Sequence, residues 1–161
     1  MCPVESAEQA DPLLRELLAA GQSVVVRARG RSMWPLLRDG DRLTVAPIRG
    51  VARHGDVVVC ESGDGYCKAH RVLGRLRRGG ETIYRIRGDA EPGVGEAVET
   101  ARVIGVAVAV ERDGRSFRLD TGVVRMMALA RVALAACWRP FRNRRSVFQE
   151  GLADQKRRTE T

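Results

Sequence analysis

Aromatic side chains are scarce in this sequence, at 4% of 161 residues. A core without them must be built from Val, Leu, Ile and Ala, which favours a sheet over an aromatic-packed bundle. Histidine occurs only twice, at His54 and His70, and Cys2, Cys60, Cys67 and Cys137 show no CxxC spacing. That excludes the usual zinc and redox motifs and implies neither metal nor cofactor. Cys60 and Cys67 flank a Gly-Asp-Gly turn, so a hairpin disulfide is open to them; free thiols are the favoured reading, because nothing marks the chain as secreted. No run approaches the ~18 apolar residues of a spanning helix, and residues 1–11 are polar and acidic, without the apolar stretch of a signal peptide. These absences imply a protein that is cytoplasmic or peripheral on the inner face of the cytoplasmic membrane.

What is present is an ordinary globular balance, 44% hydrophobic and 30% charged, with 28 basic against 20 acidic residues and a net charge of +8. Much of the excess lies after the last apolar segment, in Arg139, Arg142, Arg144, Arg145, Lys156, Arg157 and Arg158. Such a charge attracts polyanions. Residues 121–161 therefore read as a contact for an anionic membrane surface, with nucleic acid the weaker alternative.

Four segments follow from the pattern. Residues 1–21 are a lead-in with one short amphipathic helix: Asp11 as cap, Pro12 in the first turn, Gly21 at the end. Residues 22–120 alternate short apolar, β-branched runs with Gly-rich turns. Strands are predicted at 23–28, 41–46, 57–60, 66–73, 82–87, 101–111 and 116–119, with Asp113-Gly114 as a hairpin turn. Residues 121–140 hold an amphipathic helix, stopped by Pro140, and 141–161 form a basic tail. The fold class is mainly β and antiparallel, with a short N-terminal and an amphipathic C-terminal helix.

The chemistry concentrates in Gly30-Arg31-Ser32-Met33-Trp34-Pro35-Leu36-Leu37-Arg38-Asp39-Gly40-Asp41. A Ser leaving a strand into a Pro-containing turn is held exposed, with backbone N–H groups available to a developing oxyanion. This stretch resembles the nucleophile box of type I signal peptidases, whose superfamily includes the self-cleaving SOS-type repressors. Three further boxes follow in the family's order: Gly55-Asp56-Val57-Val58-Val59, Ala69-His70-Arg71-Val72-Leu73-Gly74, and Arg87-Gly88-Asp89-Ala90 followed by Val103-Ile104-Gly105.

The resemblance implies a signal-peptidase-like catalytic β domain and a serine endopeptidase. Its substrate would be a peptide or protein bound as an extended strand, losing a leader or signal-like segment. Ser32 becomes the nucleophile and His70 the base, where most bacterial members carry Lys. This is similar to the endoplasmic-reticulum and archaeal signal peptidases, which place His there. Imidazole is largely neutral at pH 7 and needs no large shift to act as a base. Lys68 points to the same strand face and is the alternative base.

The resemblance also implies that Asp89 orients the base or braces the site, with Glu91 and Glu96 as approximate equivalents of later acidic positions. Gly30, Arg31, Met33 and Pro35 form the oxyanion and substrate-binding turn, and Asp41 and Arg71 support it. His54, in a turn, reads as a surface residue. Two other readings stay open. One is a self-cleaving repressor-type regulator, against which stands the short stretch before Ser32. The other is a nonenzymatic basic module for nucleic acid or membrane, which leaves the four ordered boxes unexplained.

Overall fold

The structure is a computed structural model that describes residues 12–62 and 66–122. The expected helix and tail within 121–161, the Asp11 cap and the turn at 63–65 lie wholly or largely outside the described residues. Helix α1 spans Pro12–Ala19. Eight strands follow: β1 (Val24–Arg27), β2 (Arg42–Ala46), β3 (Val57–Glu61), β4 (Cys67–Arg78), β5 (Glu81–Arg87), β6 (Glu96–Glu99), β7 (Val103–Arg112) and β8 (Arg115–Arg118). They form one sheet in the order β1-β2-β7-β3-β4-β5-β6, with β8 added to β7. Every pairing is antiparallel. Among the described residues, no helix is long and apolar enough to cross a membrane.

The mainly β expectation holds, and the reason is visible in β3. Val57, Val58, Val59 and Cys60 are all buried, because β3 lies between β7 and β4 and is covered on both faces. Successive side chains serve opposite faces. Val57 and Val59 join one core with Leu18, Met33, Leu37 and Val45, and Val58 and Cys60 join another with Val72, Tyr84 and Ile86. The first core thus fastens α1 and the segment after Ser32 onto the sheet.

The same pleat decides the cysteines. In the β3–β4 register Cys60 faces Lys68 and Cys67 faces Glu61, so the two thiols leave opposite faces. Both are free. Burial pushes the Cys60 thiol up to about 12, which makes it inert.

Three boundaries differ from the sequence expectation. Strand β4 runs on to Arg78 and turns through Gly79 and Gly80, both at positive φ (60° and 88°), into β5. This is the two-glycine hairpin turn whose twist suits paired strands. Strand β6 was not expected at all. The segment expected to begin a strand at Ala101 starts instead with a 3-10 turn over Thr100–Arg102. His54 is exposed, as expected.

Tyr84 is fully buried, and its hydroxyl accepts the backbone N–H of Ala52 at 3.0 Å. That bond ties the loop before β3 to β5. Tyr84→Phe leaves the buried Ala52 N–H without a partner and should cost ~1–3 kcal/mol, read from urea unfolding. An unchanged midpoint would mean that the bond contributes nothing.

Candidate active site

Ser32 lies in the loop between β1 and β2, and both limbs of that loop are tied down. The Ala28 N–H donates to Asp41 O (2.7 Å) and the Gly40 N–H to Ala28 O (2.8 Å), so the ladder continues past β1. The Gly30 N–H donates to Asp39 Oδ1 at 2.9 Å. Inside the loop, Trp34 N donates to Arg31 O and Leu37 N to Met33 O. The Met33 and Leu37 side chains are buried in the first core, whereas Trp34 is 51% exposed. The Trp34–Pro35 peptide bond is cis.

Asp41 closes the loop. It is 4% exposed, accepts the Arg38 N–H at 2.8 Å, and takes Arg112 Nε and Nη2 at 2.8 and 2.5 Å. Arg112 also donates to Leu36 O at 3.0 Å. Burial alone would raise the Asp41 pKa; the Arg112 and Arg38 hydrogen bonds outweigh it and hold it below its ordinary value. Stability from this carboxylate is present above its unfolded pKa and is lost as pH falls through the lower folded one. The supporting role expected of Asp41 thus has a partner, Arg112, which no local spacing in the sequence announces.

His70 lies on β4 opposite Val58, and Lys68 lies two residues before it opposite Cys60, so both leave the same face. The His70 side chain is only 8% exposed. Its Nε2 faces Glu91 Oε1 at 3.5 Å, and its Nδ1 lies 3.7 Å from Glu96 Oε1, too far for a hydrogen bond. Lys68 Nζ pairs with the same Glu96 oxygen at 2.5 Å. Desolvation by burial is the largest influence on His70 and lowers its pKa; Glu91 and Glu96 raise it, Lys68 lowers it, and the net direction is down. Beside these groups opens a pocket of about 350 Å³, lined by Lys68, His70, Arg87, Glu91, Glu96 and the 92–95 loop. Arg87 donates from Nη1 to Gly93 O and so holds that loop.

Arg71, the next residue on β4, is 1% exposed. Its Nε and Nη2 donate to the two Asp89 oxygens at 2.7 and 2.6 Å, and its Nη1 to Gly55 O at 2.7 Å. Asp89 therefore spends its carboxylate on Arg71, and the carboxylates facing the imidazole are those of Glu91 and Glu96. Of the two roles expected of Asp89, the geometry describes a brace.

The turn that Asp89 anchors touches both halves of the site. Ala90 N donates to Ser32 O at 2.8 Å, and Gly88 N donates to Glu91 Oε2 at 3.1 Å. Among the described residues no hydrogen bond joins Ser32 to His70 directly; residues 88–91 are the link. A family model described as Peptidase S24-like matches residues 1–84, just over half of the chain, and the match includes Ser32 and His70. The chain belongs to the Peptidase S24-like family. This membership supports a serine protease or a self-cleaving repressor-type function, and it places the chain in the wider signal-peptidase-like superfamily. No curated protein matches the chain.

Two outcomes follow from the turn that this family member builds. A Cβ on Gly88 would lie 2.6 Å from the Ser32 carbonyl oxygen and 2.9 Å from the Glu91 carboxyl carbon. Gly88→Ala should push the Ser32 loop off the turn and, if Ser32 is a reactive serine, slow its labelling by a fluorophosphonate by about tenfold or more. Labelling at the parent rate would show that the contact does not position Ser32. Asp89→Ala strands a buried guanidinium and should cost ~3–5 kcal/mol in chemical unfolding. A loss below ~1 kcal/mol, the scale of a surface pair, would refute the bracing role.

Proposed function

We propose that the chain is a serine endopeptidase of the signal-peptidase type that removes a leader-like segment from a peptide or protein. Ser32 is the nucleophile and His70 the general base. The observation that carries this reading is the turn at residues 88–91, which is bonded to the Ser32 backbone and faces the His70 imidazole.

In this mechanism the Ser32 hydroxyl attacks the scissile carbonyl carbon while its proton passes to His70 Nε2. The N–H groups of Gly30, Trp34 and Leu37 are used within the loop. Those of Arg31, Ser32 and Met33 are the donors left for the oxyanion. The imidazolium then protonates the leaving amine as the C–N bond breaks, and water, activated by the same imidazole, hydrolyses the acyl-enzyme. Glu96 lies on the Nδ1 side at 3.7 Å, where its charge stabilises the imidazolium. Glu91 has to give way at Nε2 when Ser32 engages.

Two features favour His70 over Lys68. The Lys68 ammonium is committed to an ion pair with Glu96, and an amine must be free and neutral to accept a proton. The imidazole is buried and its pKa is lowered, so it is the neutral base at pH 7.

Ser32→Ala and His70→Ala should each lose activity by about a thousandfold or more. Lys68→Met should keep most of it. The acid limb of kcat/KM should lie below the ordinary histidine value near 6.5. Lys68→Met removes a neighbouring positive charge and should move that limb up; Glu91→Gln removes a negative charge and should move it down. An active His70→Ala enzyme together with a dead Lys68→Met enzyme would transfer the base role to Lys68.

A further inference from the structure

The segment that delivers Ser32 carries a feature that peptide hydrolysis alone does not require. From Val24 to Arg31 the chain alternates between partly buried and exposed residues. Val24, Val26, Ala28 and Gly30 are the partly buried set; Val25, Arg27, Arg29 and Arg31 are exposed. The ladder continued through Ala28 keeps the chain extended there, and Gly30 then turns it at positive φ (82°). Arg27 and Arg29 thus form an outward pair on one face, and Arg31 is exposed past the bend, next to Ser32. Along an extended chain, every second residue returns to the same face after roughly 6.5–7 Å.

These arginines are left unneutralised. Arg27 faces Arg42 directly across the β1–β2 ladder, and like charges so placed weaken a sheet. Arg42 lies 3.8 Å from Glu111. Of the acids nearby in sequence, Asp39 accepts the Gly30 N–H and Asp41 is buried against Arg112. Among the described residues, no ion pair reaches Arg27, Arg29 or Arg31. Strand β1 is also the end strand of the sheet as described, so its outer edge offers unpaired N–H and C=O groups. Around the base, by contrast, the pocket carries Glu91 and Glu96.

We propose that the segment recognised by this site is an acidic peptide with Asp or Glu at alternate positions, seated along the outer edge of β1 with its carboxylates on Arg27 and Arg29. This names a substrate class and rests on the peptidase reading above. An added strand has the same two-residue period as the arginine pair, and opposite charges across an edge are favourable pairs. Nucleic acid would use the arginines and the exposed Trp34, but it has no use for the unpaired strand edge. The acidic pocket on the base side repels the same carboxylates and so sets the direction in which the peptide lies.

The test has two arms that fail separately. In the first, the full chain and its Ser32→Ala variant are incubated with a random peptide library, and the Ser32-dependent products are read by mass spectrometry. Asp and Glu should be enriched at alternate positions on one side of the cleaved bond. Arg27→Glu/Arg29→Glu, with an unchanged melting temperature, should replace that preference with Lys and Arg, a reversal that a merely structural role does not produce. Ser32-dependent cleavage without acidic enrichment, or with the same preference in the double variant, overturns the substrate class and spares the peptidase reading. No Ser32-dependent cleavage overturns the peptidase reading and, with it, the word substrate.

The second arm needs no turnover. Labelled peptides of about ten residues, alternating Ala with Glu, Gln or Lys, are titrated against Ser32→Ala by fluorescence anisotropy. The Glu peptide should bind about tenfold or more tighter than the Gln peptide, with an advantage that shrinks as salt is raised. Equal binding of the three peptides overturns the proposal. So does displacement of the Glu peptide by a single-stranded oligonucleotide at lower concentration than unlabelled Glu peptide, which would assign the arginines to nucleic acid.

Discussion

The ion pair between Arg71 and Asp89 is the constraint on which the site depends. A guanidinium that is 1% exposed must find acceptors inside the protein. It finds three, the two Asp89 oxygens and the Gly55 carbonyl. Satisfying Arg71 therefore draws two distant pieces of chain to β4: the turn before β3 and the turn after β5. Arg71 is the neighbour of His70 on that strand, so the turn carrying Asp89 arrives beside the base. The next two residues then act outward from it. Ala90 holds the Ser32 carbonyl, and Glu91 faces the imidazole. Ser32 and His70 are thus referenced to one buried charge.

Three of the four Gly-Asp dipeptides lie among the described residues, and two of them use one device. In Gly40-Asp41 and Gly55-Asp56 the glycine has positive φ (87° and 88°). The aspartate oxygen then accepts a backbone N–H three residues earlier, Arg38 for Asp41 and Arg53 for Asp56. Each turn thereby ends cleanly and starts β2 or β3 in register. Gly88-Asp89 departs from this. Its glycine is required because a Cβ there would lie 2.6 Å from the Ser32 carbonyl oxygen, and its aspartate reaches across to Arg71. A motif that reads alike in sequence therefore performs local capping twice and long-range bracing once.

This explains what was legible beforehand. Strands β1 to β3, β5 and β7 were readable from apolar, β-branched runs between turn residues, and β8 from the Asp113-Gly114 hairpin turn before it. The ordered boxes singled out Ser32, His70 and Asp89, which the 88–91 turn connects. Strand β6 was not readable, because in Glu96–Glu99 only Val98 is buried, and a short charged edge strand carries no period. The far end of β4 was hidden by arginines at positions 75, 77 and 78, which are exposed and so give no apolar alternation. The partners of site residues were least legible. Arg112 lies 71 residues from Asp41, and Asp89 lies 18 from Arg71. Such pairs are set by strand order, and the sequence displays only neighbours.

The electrostatics of the base follow from that same strand order. The β4–β5 and β5–β6 registers bring Lys68, His70 and Glu96 to one face, and the 88–91 turn adds Glu91. A buried imidazole between one cation and two carboxylates is pulled both ways, yet burial decides the direction, and its pKa falls. In the proposed mechanism the two carboxylates act through space, since their charge favours the imidazolium that forms only as the reaction proceeds. Lys68 pairs with Glu96 and itself lowers the His70 pKa. With His at position 70, Lys68 is the cation on this face, and Glu96 balances it. The acidic residue that balances it lies on β6, the strand that the sequence pattern conceals.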